Sequence, residues 1–408
     1  MSCQVLIAAM LIATARFSAA ASLRLADWRL EIDMSQPPIT FWNATTDGCY
    51  KGDAIDETLT AFRTTGGQIR MVGGNGGLGP VSFVGNSLLT LKRDCATGPV
   101  INSRNNYSGP ADFPHNMWLP ATYAMEDGVT VHGLVHDEFH AVRESVPPEW
   151  CINTTVDNHT TCSGWASTVI SVISTDGGKS FRCVTSDERP HGIAIGAPIP
   201  YRPNWKNNPG LQGMPAHRSM VRSPKDGFWY TMPTCAYLTQ LGKQRGKCVF
   251  RTANVSDPAS WVGWNGSAWS VPGAVDPYVD PVSPADMAKY TAAPVNANGA
   301  GLTYLTSAQA FVLIGTSKNS TQGGFAYQLS EDLVTWTEPR LMGGQGNGAI
   351  GTEEEIMYPT MLDHTDTSQN FERFGETGHV FYSTDGRPPK AVARRPVRVV
   401  HIGDSDSD

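Results

Sequence analysis

The sequence predicts an all-β protein, a five-bladed β-propeller with four-stranded antiparallel blades. Three observations carry that expectation. The stretch Ile170 to Phe181 starts as a β-branched strand, turns at Asp176-Gly177-Gly178 and leaves through an aromatic. Asp accepts backbone hydrogen bonds inside a turn and Gly supplies positive φ, so this reads as a hairpin. Looser forms return at Thr252 to Trp261 and at Leu329 to Trp336, at intervals of about 80 residues, too long for a solenoid unit and suited to a sheet with its loops. The 41 Gly and 28 Pro are spread along the chain, which favours many short strands over long helices.

Taken in order, Leu23 to Ile32 alternates as a strand, and Lys390 to Ile402 reads as another. Both are assigned to one blade, because propellers close by letting the two ends of the chain share a sheet. Five blocks lie between. The first runs from Ala54–Arg63 through Gln68–Val72 to a strand at Leu88–Lys92, and the second from Met117–Tyr123 through Val129–Val135 to Phe181. The third runs from His217–Val221 through Gly227–Met232 to Trp261, the fourth from Leu302–Tyr304 through Ala310–Ile314 to Trp336, and the fifth from Met357–Asp363 through His379–Ser383 to the end. Inserts at Arg143 to Gly164 and Asp187 to Pro215 are expected as rim loops that shape a funnel over the axis.

A hydrophobic fraction of 40% supports a sizeable core, and a net charge of −7 argues against nucleic acid and anionic membranes as partners. Val5 to Ala13 is apolar and is followed by small residues at Ser18 to Ser22, the pattern of a secretory leader over residues 1–21. A buried strand or a membrane anchor is the alternative there. One propeller domain over 22–403 and an acidic tail over 404–408 complete the expected organisation, with the protein secreted, free of membrane after leader removal and monomeric. Seven N-x-[ST] sequons, at Asn43, Asn106, Asn153, Asn158, Asn254, Asn265 and Asn319, suit a secreted glycoprotein. Cys151 with Cys162 and Cys235 with Cys248 are near enough in sequence to staple loops, Cys49 with Cys95 is a further pair, and Cys183 is left over.

The phrases Ile55 to Arg63, Val135 to His140, Ser330 to Trp336 and Tyr358 to Asp363 resemble five-bladed propeller glycoside hydrolases of family 43 and their invertase-like clan. They are most similar to a group of secreted proteins that share those phrases. The likeness spans about residues 50 to 385. It implies cleavage of a glycosidic bond in a polysaccharide or glycoconjugate, with a first-blade Asp as general base, a second Asp tuning its partner, and a later Glu as general acid. Such chemistry needs one ionised and one protonated carboxyl flanking the bond. Asp56 matches the first-blade position, and a surface turn residue is its other reading.

The richest polar cluster is His136-Asp137-Glu138-Phe139-His140. Strand alternation puts Asp137 with Phe139 on one face and His136, Glu138 and His140 on the other. Glu138 is the candidate acid or sugar-hydroxyl anchor, with His136, Asp137 and His140 in substrate contact; a solvated strand end is the plain alternative. Where relatives place a Glu before the third inner strand, this chain has Pro215-Ala216-His217-Arg218. Either the acid is lost or His217 replaces it, and Arg218 is placed to clamp a substrate carboxylate, unless both are ordinary polar residues at a strand entrance. Glu355 is a further carboxyl before the last inner strand, and Trp118 and Tyr358 are candidates to stack on a sugar. Asp176, Asp257 and Asp332 are similar to the Asp-box turns of sialidases and are read as structural. No cofactor is expected, with a calcium ion on the axis optional. The alternatives to an enzyme are a catalytically silent carbohydrate-binding propeller and an extracellular protein-interaction module.

Overall fold

The structure, a computed structural model, describes residues 24–33, 37–74, 79–103, 111–140, 153–156, 159–162, 165–199, 212–215, 219–278, 282–295, 297, 299–317, 324–342, 356–384 and 390–402. For 153–156 and 159–162 it describes the backbone alone. The expected leader and acidic tail lie outside these residues.

Five antiparallel sheets form the blades of a propeller. Blade 1 is Leu59–Arg63, Ile69–Gly73, Val81–Gly85 and Lys92–Arg93, from the axis outward. Blade 2 is Asn116–Ala124, Val131–His140, Trp165–Ser174 and Arg182–Cys183. Blade 3 has five short strands, Val221–Arg222, Trp229–Thr231, Phe250–Thr252, Val262–Trp264 and Trp269–Pro272. Blade 4 is Gly301–Leu305, Ala310–Ser317, Gly324–Ser330 and Arg340–Leu341. Blade 5 is Met357–Leu362, Thr377–Thr384, Ala391–His401 and, from the N-terminal side, Trp28–Ile32, which pairs antiparallel with Ala391–His401. The two ends of the chain therefore share a blade, as the sequence led us to expect.

Each blade buries both of its faces, and strand alternation divides neighbouring residues between two interfaces. Met71 packs toward blade 5 and Val72 toward blade 2; Val169 faces blade 3 and Ile170 faces blade 1. Phe311 lies in the cluster shared with blade 3, and Val312 in the cluster shared with blade 5. Five separate apolar clusters result, one at each blade interface. This is why the strands read as nearly continuous apolar runs rather than clean alternation.

The Asp turns behave as structural elements. Asp176 Oδ1 accepts from the N–H groups of Lys179 and Ser180 at 3.0 Å each, with Gly177 and Gly178 at φ 74° and 78°. Asp257 and Asp332 accept backbone N–H groups in the same way. Cys49–Cys95 and Cys235–Cys248 are disulfides, and Cys183 is a free thiol. Cys151 and the Cys162 side chain lie outside the described residues.

Some expectations need correction. The third strand of blade 1 is Val81–Gly85, not Leu88–Lys92. Leu88 and Leu91 are buried from a turn, where they fill the interface with blade 5, so their apolarity reports packing rather than strand. The closing strand begins at Trp28, after a helical turn at 24–26. The second insert is not only loop: Ile193–Ile195 and Gln212–Gly213 both pair with Trp165–Ser174. The first contains a short hairpin, Asn153–Val156 with His159–Cys162.

The inner strands begin at one end of the axis and finish at the other. At the finishing end, the segment after the inner strand of blade 5 ties the other four blades together. Arg63 N donates to Gln369 O at 2.8 Å and Ala124 N to Asn370 Oδ1 at 2.6 Å. Arg222 N donates to Glu372 Oε2 at 2.9 Å, and Tyr304 N to Glu372 O at 3.0 Å. Arg373–Phe374 then adds in parallel to Gly301–Leu305.

Two outcomes are expected. Leu30, buried on the closing strand, should cost about 2–5 kcal/mol when replaced by Ala, read by urea denaturation; an unchanged midpoint would deny the strand its closing role. Burial lifts the Glu372 carboxyl from its ordinary 4.5 to about 7. The folded state then binds more protons than the unfolded one between these values, so this group lowers stability as pH rises from 4.5 to 7. Glu372→Gln should gain stability relative to the native chain across that window and hold the gain above it. A relative loss with rising pH would contradict the assignment.

Candidate functional site where the inner strands begin

At the other end, where the inner strands begin, blades 5, 1 and 2 bring several of the expected residues together. Asp56 and Glu57 precede the inner strand of blade 1 and diverge. Asp56 is half-buried, its N–H bonded to Gly74 O at 2.7 Å, and Oδ1 accepts from the Tyr358 hydroxyl at 2.9 Å. Tyr358 reaches it from blade 5 with φ 53°, a left-handed conformation costing a non-glycine residue roughly 1–2 kcal/mol. Such strain persists only where surrounding structure imposes it.

The local cause is readable. The pairing register of the blade 5 inner strand shifts between Met357 and Thr360, across Pro359. In blade 2 the register shifts between Trp118 and Ala121, across Pro120. Proline lacks the N–H a ladder needs and is tolerated on edge strands, and the strand nearest the axis is such an edge. The irregularities lie at Tyr358 and Trp118, at the end where the inner strands begin.

Glu57 is buried, with Oε2 3.7 Å from His136 Nδ1. His136 Nε2 lies 3.1 Å from Glu138 Oε1 and 2.6 Å from Ser167 Oγ. Glu138 Oε2 accepts from His140 Nε2 at 2.8 Å, and His140 stacks on Trp165 with ring centroids 5.4 Å apart. Trp118 covers His136 at 5.6 Å. Gly74 keeps this corner open, since a Cβ there would fall 2.5 Å from Glu57 Cβ and 3.1 Å from Trp118 Cδ1.

Electrostatics fix the charge states. Burial alone would lower His136, but the carboxylates of Glu138 and Glu57 outweigh it and hold the imidazole up at about 9. Burial alone would raise Glu138, but His136 and His140 pull it down to about 2. At neutral pH the centre is therefore an imidazolium beside an ionised carboxylate. Glu138 in this state is a hydrogen-bond acceptor.

His136, Glu138 and His140 share one strand face, as alternation requires, and Trp118, Asp56 and Tyr358 join them. Asp137 does not: it lies on the opposite face, buried, accepting from His115 Nδ1 at 2.6 Å and from His115 N at 2.8 Å. His217, Arg218 and Glu355 lie outside the described residues. Glu57, Ser167 and Trp165 were not singled out from sequence. Glu57 had one available signal, its place beside Asp56 just before the inner strand of blade 1. Among the described residues no group of three or more His, Cys, Asp or Glu is arranged to hold a metal ion, and no helix is long and apolar enough to cross a membrane.

One outcome tests the charge assignment. His136→Gln, which breaks a buried pair, should cost about 3–5 kcal/mol at pH 4.5–6.5. The His136 contribution is complete below its ordinary 6.5 and is lost as pH rises through 9; that of Glu138 is complete above 4.5 and is lost as pH falls through 2. A cost that persists undiminished at pH 10 would contradict the imidazolium.

Compared with protein-family models and with curated proteins, the sequence matches none. Among solved structures, it is similar to a Bifidobacterium bifidum protein provisionally assigned as an exo-β-1,3-galactanase, with 11% identity and a TM-score of 0.47 over 89% of this chain and 93% of that one. A family 117 glycoside hydrolase of Zobellia galactanivorans aligns with 9% identity and a TM-score of 0.44, over 91% and 90%. An exo-β-1,3-galactanase of Phanerochaete chrysosporium, with β-1,3-galactotriose, aligns with 8% identity and a TM-score of 0.47, over 89% and 66%. These values are too low for any of the three to lend a residue role or a substrate to this chain.

Proposed function

We propose that the chain is a secreted glycoside hydrolase that binds a carbohydrate at the end of the propeller where the inner strands begin and cleaves a glycosidic bond there. The observation that carries this reading is the Asp56–Tyr358 contact at 2.9 Å, made between two blades by a strained tyrosine. The phenol orients the Asp56 carboxylate, which takes a proton from the water that attacks the anomeric carbon. The half-buried Trp118 indole presents a face to a pyranose ring.

Of the two parts expected of Glu138, this reading takes the sugar-hydroxyl anchor. Ionised and held between two histidines, it orients His140 and accepts sugar hydroxyls. Proton delivery to the leaving oxygen then falls to an imidazole, and His140, half-buried at the edge of the cluster, is placed for it. Secretion belongs to the same reading. Asn254 and Asn265 are exposed, each with Oδ1 accepting from the hydroxyl of its own sequon serine, and are proposed as glycan acceptors. No metal or cofactor is required by these steps.

A second reading is favoured by one observation, the low position of the Glu138 carboxyl. Without a protonated carboxyl beside Asp56, the site would bind sugar without cutting it. Hydrolysis of a glycan panel separates the two. Asp56→Asn should reduce kcat/KM by roughly 10²–10⁴-fold while glycan binding, measured by calorimetry, persists. Binding by the native chain with no sugar released from any glycan would establish the second reading instead.

A further inference from the structure

At the outer rim, between blades 4 and 5, lies a cavity of about 490 Å³ that the proposed reaction does not use. Both outermost strands line it, Arg340 and Leu341 from blade 4 and Arg29 and Leu30 from blade 5. Its size falls within the range of small-molecule sites, roughly 300–1,000 Å³. Leu30 and Tyr327 are its buried lining, while Ile402 and the 48%-exposed Leu341 give it accessible apolar surface.

Arg340 is fixed from one side. Its Nη1 donates across the blade boundary to the carbonyls of Trp28, Ala26 and Leu25, at 3.1, 3.2 and 3.4 Å. Its Nε and Nη2 have no partner among the described residues, and neither is buried. These two nitrogens form the side-on edge of the guanidinium, whose parallel N–H groups match the two oxygens of a carboxylate. The protein uses that edge in the same way nearby. Arg398 Nε and Nη2 hold Glu31 Oε2 at 2.9 and 2.6 Å, and Arg24 Nε and Nη2 hold Glu331 Oε1 at 2.8 and 2.6 Å. Glu31 also lines the cavity, but Arg398 already balances its charge. No carboxylate pairs with Arg340 or with the exposed Arg29 among the described residues. A guanidinium already held in place loses little freedom on binding, so its contacts count toward affinity. The apolar lining suits an organic body better than a strongly hydrated inorganic ion.

We propose that this cavity binds an organic acid. The Arg340 edge takes its carboxylate, Arg29 adds positive charge, and Leu30, Leu341 and Ile402 receive its apolar body. This assignment is independent of whether the chain cleaves glycans.

Calorimetry on the full chain at constant ionic strength, with benzoate and hexanoate as probes, supplies the test. Both should bind saturably. Benzamide, which keeps the ring and loses the charge, should bind at least about tenfold more weakly. Arg340→Lys keeps a charge without the parallel donors and should weaken benzoate about tenfold, the loss of roughly one charge-assisted hydrogen bond. Arg29→Gln and Leu341→Asp alter exposed side chains, so each should weaken benzoate while leaving the urea midpoint unchanged, whether or not Arg340→Lys folds. Benzoate affinity untouched by Arg29→Gln and Leu341→Asp, or matched by benzamide or inorganic sulfate, would overturn the site. No saturable binding to the native chain would overturn it too; binding that appears only once Asp404, Asp406 and Asp408 are replaced by Asn would assign the arginines to the chain's own carboxylates instead.

Discussion

Every blade in this protein must bury both faces, and the remaining features follow from that constraint. A one-residue slip in any strand would exchange its two apolar sets between neighbouring interfaces. Met71 and Val72, or Phe311 and Val312, are adjacent in sequence yet belong to different cores. Register is therefore fixed at each interface in turn around the ring. Pairing of Trp28–Ile32 with Ala391–His401 completes the ring and leaves polar chemistry to the two ends of the axis.

Those ends are built differently. One is crossed by the segment carrying Gln369, Asn370 and Glu372, which bonds to the inner strands of the other four blades. The opposite end is framed by proline-interrupted inner strands, whose irregular register turns Trp118 and Tyr358 toward Asp56 and Glu57. These residues lie on or beside the sheets, which fixes their hydrogen-bond geometry.

Charge where the inner strands begin is decided collectively. Glu57, His136, Glu138 and His140 form a row in which each imidazole meets a carboxylate, and burial makes every one of those contacts stronger than it would be in water. Glu138 read alone, in a strand of polar residues, suggests a free carboxyl with an ordinary titration. Placed between two histidines it becomes a fixed anion. Asp56 is bonded to a phenol instead of an imidazole.

The sequence by itself determined what depends on neighbours along the chain. Alternation separated Asp137 from His136, Glu138 and His140, Asp-Gly turns marked the hairpins, and the apolar ends of the chain foretold a shared blade. Leu88 and Leu91 misled because buried turns and buried strands are equally apolar over so short a run. Tertiary structure alone decided what spans blades: the Tyr358 hydroxyl on Asp56, 302 residues away, and the approach of Glu57 to His136. Those contacts exist only once the ring closes, and the proton affinities at them are set by burial and by charges brought in from elsewhere in the chain.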